Sequence, residues 1–245
     1  MSCENTVNEP SIVEVGKKLE GTDVDYYNDA ARYWEKVDST VNGMLGGFGK
    51  ISEIDIEASN KLLKFLFKME GGPSNCKALD CGAGIGRITK HLLAKHFSAV
   101  DLVEQNKIFL EKAKENLKNC VHKIDKLYCC GLQNFLPEKS YYDVIWCQWV
   151  LGHLTDAHLV QFFERCLDGL KPNGVLVVKE NLTSSDEVEK DEEDSSVTRP
   201  ENLLKQLFER AGMEIIRELN QQKMPQGLYP VKMFALRRKV INKDG

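Results

Sequence analysis

The chain has 245 residues, 42% of them hydrophobic, and a formal net charge of −4. That length holds one α/β domain with a sizeable core, and no apolar run reaches the roughly 20 residues that cross a bilayer. Lysine and arginine are scattered among acids instead of forming a stripe that neutralises phosphates, which argues against DNA or RNA as a direct substrate.

Residues 1–22 are polar and non-periodic and read as a flexible tail, followed by a single domain over 23–240. They lack the charged-then-apolar pattern of a secretory leader, so a soluble intracellular protein is expected. Tyr27, Ala30, Ala31 and Trp34 recur at helical spacing within 24–37, and Leu62, Leu63 and Leu66 do so within 55–69; together these helices form an amino-terminal cap over 24–69. Between them Gly43–Gly49 reads as a mobile glycine-rich loop. Helix and strand then alternate, the pattern of a parallel sheet with helices on both faces. Phe109–Leu117 and His158–Leu170 are the crossover helices, and Lys171-Pro172-Asn173-Gly174 is a turn. Val175–Val178 is a buried strand that delivers Glu180 and Asn181 at its end. Pro200–Ala211 reads as a helix stopped by Gly212, and Met213–Glu218 with Val231–Arg237 as a closing antiparallel hairpin. The densest charge run, Asp186–Asp194, is either a solvated loop or a lip that attracts a basic substrate.

Eight cysteines, at 3, 76, 81, 120, 129, 130, 147 and 166, show neither metal-ligand spacing nor a disulfide framework. His91/His96 and His153/His158 are five apart, which misses the spacing of four that places two ligands on one helical face. No metal is expected.

The segment Leu79–Arg87, LDCGAGIGR, joins an apolar strand ending near Asp80 to a helix through Gly82, Gly84 and Gly86. Glycines there allow a sharp turn and close approach of the backbone to a ligand. The dinucleotide fingerprint needs a third glycine at position 87, where this chain has Arg87, so a nucleoside ligand without a pyrophosphate fits better. The next strand, Ala99–Val103, ends in Glu104, placed to accept hydrogen bonds from ribose hydroxyls. A third strand and turn, Leu127–Gln133, brings up Leu132 and Gln133.

These features resemble the class I S-adenosylmethionine-dependent methyltransferases. Tyr142–Asp156, with its QWVLGHLTD core, resembles one family among them, the protein alpha-N-terminal methyltransferases, as do Gly43–Gly49 (GMLGGFG), Asp194–Val197 (DSSV) and Phe234–Leu236. The likeness spans about residues 24–237. It implies a Rossmann-like sheet of seven strands, mostly parallel with a carboxy-terminal antiparallel hairpin. It also implies an enzyme that methylates the α-amino group of proteins with an exposed Xaa-Pro-Lys terminus, up to di- or trimethylation, in nucleus and cytoplasm. The cofactor implied is S-adenosyl-L-methionine, leaving S-adenosyl-L-homocysteine.

The resemblance assigns roles to individual residues. Gly82 and Gly84 lie against the cofactor, Arg87 pairs with its carboxylate, Glu104 holds the ribose, and Leu132, Gln133 and Gln148 frame the adenine. Arg87 has an independent rationale, since guanidinium binds carboxylate through paired hydrogen bonds. Asp194 and His153 orient and deprotonate the substrate amine. Trp149 stacks on the substrate proline and Asn181 bonds its carbonyl; Asp191, assisted by Ser196, meets the third-position lysine. Leu45, Ile51, Leu228 and Tyr229 close the channel, and Trp34 covers its entrance. Two departures from the family pattern stand out: a one-residue insertion between Asn181 and Asp194, which leaves Glu192 or Glu193 as alternatives to Asp191, and Gly227 where an acid is usual. The competing readings are a small-molecule N- or O-methyltransferase, which would ignore proline-containing peptides, and a non-catalytic cofactor-binding scaffold. Sequence leaves the oligomeric state open.

Overall fold

The computed structural model describes residues 10–14 and 23–240. Its spine is an eight-stranded sheet in the order β1-β4-β3-β2-β5-β6-β10-β9. Chain order gives β1 (Ile12–Glu14), β2 (Lys77–Cys81), β3 (Ala99–Glu104), β4 (Ile124–Cys129), β5 (Tyr142–Gln148), β6 (Leu170–Asn181), β9 (Met213–Asn220) and β10 (Val231–Arg238). Strands β1 to β6 pair in parallel, and β10 runs antiparallel to both β6 and β9. The expected seven strands are therefore eight. The extra one comes from the stretch read as tail: Ile12, Val13 and Glu14 pair with Leu127, Tyr128 and Cys129, and Glu14 meets Lys107 at 2.7 Å. Residues 1–9 and 15–22 lie outside the described residues.

The central strands β2, β3 and β5 are buried along almost their whole length because helices cover both faces. Side chains alternate along β2: Leu79 and Cys81 face a core shared with α1 (Val24–Glu35), α6 (Asp156–Gly169) and α7 (Glu201–Arg210), whereas Ala78 faces one shared with α3 (Ser52–Lys68) and α5 (Lys107–Asn116). Asn106 caps α5, its Oδ1 accepting from Ile108 N, and Thr155 caps α6, accepting from His158 N.

Three other expectations give way. Gly43–Gly49 is not an open loop: α2 (Val41–Met44), capped by Thr40, and a 3-10 turn over Gly49–Ile51 build it. Lys171–Gly174 lies inside β6 as an irregularity between its two pairings with β5, Tyr142↔Leu170 and Val144↔Val175. The acidic run folds into a hairpin, β7 (Glu189–Asp191) with β8 (Ser196–Thr198). Between β2 and β3 the helix carries a π turn over Thr89–Leu93, running on into α4 (Ala94–His96). No helix among the described residues is long and apolar enough to cross a membrane.

Candidate active site

The chain runs outward from β2 through β3 to β4, then returns to the other side of β2 as β5. Ligands of open α/β sheets lie beyond the carboxyl ends of the strands at such a reversal. A cavity of about 950 Å³ opens there. It is lined by Gly82, Gly84, Arg87, Glu104, Leu132, Gln133 and Gln148, which is the whole set predicted for the cofactor, and by Trp34, Trp149 and His153.

The glycine turn is built around an approach that side chains would block. Gly82, Gly84 and Gly86 have φ of 68°, 54° and 76°, the left-handed region. A Cβ on Gly82 would stand 2.4 Å from Val150 Cγ2. Asp80 behind the turn accepts from Thr89 N at 3.0 Å and Thr89 Oγ1 at 2.6 Å, tying β2 to the helix that follows. Burial pushes its carboxyl up to about 6 against those bonds. Glu104 accepts from Gly84 N and Asn106 N, each at 2.9 Å, so one carboxylate fixes both the glycine turn and the start of α5. Burial raises its pKa above the usual range.

Beneath the cavity lies a buried polar cluster that the sequence reading missed. Asp55 of α3 is wholly buried. Its Oδ2 accepts from Arg87 Nη1 at 2.6 Å, and its Oδ1 accepts from Gln148 Nε2 at 2.8 Å and from Lys179 Nζ. Arg87 thus reaches the cavity already braced. Gln148 is braced a second time, accepting from Trp146 Nε1 at 3.1 Å. One signal was available: Asp55 and Ser59 continue the inward stripe of Leu62, Leu63 and Leu66 at helical spacing, so two polar residues occupy core positions.

The loop after β5 carries the second half of the site. Trp149 has φ 53°, an unusual conformation for a bulky residue. The end of β6 holds it there: Trp149 N donates to the Lys179 carbonyl at 3.0 Å, and Val150 N and Leu151 N donate to Glu180 Oε1 at 2.9 Å. Burial pushes Glu180 up to about 7 despite those two bonds. Arg199 pins the other end, donating to the Leu151 carbonyl at 3.1 Å, the Leu154 carbonyl at 2.6 Å and Asp156 Oδ1 at 2.8 Å.

His153 Nε2 meets Trp34 Nε1 at 3.0 Å. An indole nitrogen only donates, so Nε2 accepts and a neutral His153 carries its proton on Nδ1. Burial lowers the imidazole pKa below its ordinary value, with the Asp194 charge pulling it part-way back. Trp34 thus lines the cavity and is bonded to His153. Among the described residues, four buried side-chain polar atoms lack a partner; two, Trp149 Nε1 and His153 Nδ1, are on residues that line the cavity, and a third, Asp194 Oδ1, is on the carboxylate whose charge acts on His153. Unsatisfied buried groups are rare in folded proteins, and their gathering marks a place prepared for a polar ligand.

The remaining predicted residues, Asp194 among them, lie outside the cavity wall. Leu45 and Ile51 are buried beside α2. Asn181 ends β6. Asp191 is exposed on the hairpin, accepting from Glu193 N at 2.9 Å, while Ser196 begins β8. Leu228 and Tyr229 sit in the β9–β10 connection, where Tyr229 Oη donates to Glu189 Oε2 at 2.5 Å and so ties that connection to the acidic hairpin. No group of three His, Cys, Asp or Glu side chains among the described residues is arranged to hold a metal ion.

Comparison with known proteins agrees with this geometry. Residues 22–237 match the family model described as AdoMet dependent proline di-methyltransferase. The N-terminal Xaa-Pro-Lys N-methyltransferase 1 of Danio rerio is 51% identical over 213 residues, covering 86% of this chain and 95% of that one. The alpha N-terminal protein methyltransferase 1 of Drosophila melanogaster is 48% identical over 221 residues, covering 89% and 78%. A solved SAM-dependent methyltransferase from Leishmania major superposes with a TM-score of 0.81 at 40% identity, covering 86% of this chain and 83% of that one. With its fold, its glycine turn and 86% or more of its length shared with these relatives, the chain belongs to the AdoMet-dependent proline di-methyltransferase family.

Proposed function

We propose that this protein methylates the α-amino group of proteins whose exposed terminus reads Xaa-Pro-Lys, using S-adenosylmethionine. The observation that carries the reading is the pair of unpartnered polar atoms on the cavity residues Trp149 and His153, with Asp194, also unpartnered at Oδ1, near enough for its charge to act on His153. A chain terminus brings an ammonium and peptide groups to meet them, where a small apolar substrate would leave them unpaired.

When bound, S-adenosylmethionine would supply a sulfonium methyl group for direct transfer to a neutral amine, the N–C bond forming as the C–S bond breaks and the thioether product leaves. The residues present fit that cofactor. The bare glycine turn admits close backbone approach, Arg87 is braced on Asp55 to receive a carboxylate, and Glu104 stands at the strand end for ribose hydroxyls. Leu132, Gln133 and Gln148 line the adenine side.

The rest of the work is positioning and one proton. An α-amine has a pKa of about 8, so at neutral pH it arrives mostly as an ammonium that cannot attack. Asp194 Oδ1, an acceptor without a partner, orients that ammonium. His153, kept neutral by burial, takes the proton once its Nε2 is released from the Trp34 N–H. Trp149 offers a flat face to the proline, Asn181 bonds its carbonyl, and Asp191 with Ser196 meets the following lysine. Leu45, Ile51, Leu228 and Tyr229 shape the approach. Nucleus and cytoplasm are the compartments where such substrates are met.

The test is mass spectrometry of a Ser-Pro-Lys-Arg-led peptide and its N-acetylated twin, each incubated with protein and S-adenosylmethionine. Successive methyl increments on the free terminus alone are expected. Methylation of neither peptide, with calorimetry still registering cofactor binding, would favour a small-molecule substrate or a scaffold.

A further inference from the structure

Lys179 has no part in the chemistry above, yet it is fully buried in β6 at the point where the two halves of the site meet. Its ammonium donates to Asp55 Oδ1, to the Asp55 carbonyl at 3.1 Å, to Ser59 Oγ at 3.0 Å and to Gln221 Oε1 at 2.7 Å. Three lines of contact leave it. Through Asp55 it fixes the carboxylate on which both Arg87 and Gln148 rest. Through Gln221, whose Nε2 donates to the Gln222 carbonyl at 2.9 Å, it holds the start of the connection that carries Leu228 and Tyr229. Its Nζ also lies 5.9 Å from the Trp149 ring centroid, with Arg87 Cζ 5.6 Å from that same centroid, so two cations frame the indole.

We propose that Lys179 is a positioning residue that sets the cofactor side and the peptide side of the site in one register: Arg87 and Gln148 through Asp55, Trp149 through its ring, and the β9–β10 connection through Gln221. The inference rests on the methyl-transfer reading for the identity of the two ligands. Packing alone does not account for a lysine here. Burying an ammonium is costly, and desolvation draws the Lys179 pKa below its ordinary value although Asp55 opposes it. An apolar side chain of the same length would fill the space without that cost. The cluster also places two cations on one carboxylate, and the surplus positive charge is matched when an anionic group arrives at Arg87.

The experiment measures S-adenosylhomocysteine affinity by calorimetry and peptide KM and kcat by mass spectrometry, for wild type, Lys179→Met and Gln221→Leu. Lys179→Met leaves the Asp55–Arg87 pair neutral, so a cooperative melt is expected. It should weaken S-adenosylhomocysteine binding and raise peptide KM, each about tenfold. Gln221→Leu cuts only the peptide-side link and should raise peptide KM with cofactor affinity unchanged. A folded Lys179→Met protein with both quantities within about twofold of wild type overturns the proposal. If that variant does not fold, an unchanged peptide KM in Gln221→Leu overturns it instead. Should wild type bind S-adenosylhomocysteine but leave the peptide unmodified, the substrate reading fails, and an unchanged cofactor affinity in Lys179→Met still decides against Lys179.

Discussion

Alanine at Gly84 and at Gly82 separates ligand approach from backbone strain. Both glycines have left-handed φ, 54° and 68°, and forcing a side chain into that region costs about 1–2 kcal/mol. Alanine returns about 0.4–1 kcal/mol by restricting the unfolded chain. At Gly84 the added Cβ meets Met44 Sδ at 2.8 Å, the far end of a flexible side chain, so little is added and the net loss is about 1 kcal/mol. At Gly82 it meets Val150 Cγ2 at 2.4 Å and Val150 Cβ at 2.6 Å, and Val150 is itself held by Glu180. Overpacking adds about 1–3 kcal/mol there, for a total of about 2–4. At about 2–4 °C per kcal/mol for a chain of this size, Gly84→Ala should melt a few degrees below wild type and Gly82→Ala clearly lower. Binding should separate them differently. Gly84 and Met44, the residue its methyl would meet, both line the cavity, so Gly84→Ala should lose S-adenosylhomocysteine affinity well beyond its small stability loss. Calorimetry of unfolding and of binding measures both quantities. If Gly84→Ala bound the nucleoside as wild type does, or melted below Gly82→Ala, the close-approach account of this turn would be wrong.

Other expectations follow from the same geometry. Trp34→Phe removes the N–H donor that stabilises neutral His153, so the imidazole pKa should rise and the acid limb of kcat/KM should move to higher pH; an unmoved limb would dissociate Trp34 from control of that proton. Asp194→Asn should lower kcat by about a hundredfold or more with an unchanged or slightly higher melting temperature, since the buried oxygen it alters has no partner; a large kcat loss matched by unfolding would point to a structural role. Glu180, at about 7, is raised above the usual 4.5. The folded state therefore binds its proton more tightly than the unfolded state, and its contribution to stability is complete below pH of about 4.5 and lost as pH rises through about 7. Denaturant titrations of wild type and Glu180→Gln across that window should differ in slope, wild type losing stability more steeply, and parallel curves would refute the assignment.

Much of the fold was legible because its signals are local. Val175–Val178 is a continuous apolar run, and it is a buried parallel strand. The glycine turn announces itself because a left-handed φ at three alternate positions has few other solutions. What escaped has a physical reason in each case. Ile12–Glu14 is three residues long and pairs with a strand more than a hundred positions away, so no periodicity can build up. The run Asp186–Asp194 reads as solvated charge, yet part of it pairs with Ser196–Thr198, because strand pairing uses the backbone and tolerates charged side chains on an exposed ribbon.

The site divides along the same line. Glu104 and Arg87 stand out once the strand end and the glycine turn are placed, whereas His153 was singled out by the family resemblance. Asp55 is not, because its partners Arg87, Gln148 and Lys179 lie 32, 93 and 124 positions away, and nothing local distinguishes it from a solvent-facing aspartate on an amphipathic helix. The distinguishing fact is register: Asp55 and Ser59 stand in the inward row of α3, and a buried carboxylate needs hydrogen-bond donors or a cation beside it. Lys179 breaks an otherwise apolar run in β6 for the complementary reason. Two charged residues at core positions of separate elements are each anomalous alone, and together they predict each other. This pairing of anomalies was readable before any coordinates, and it leads from the residues that touch ligands to those that hold them in place.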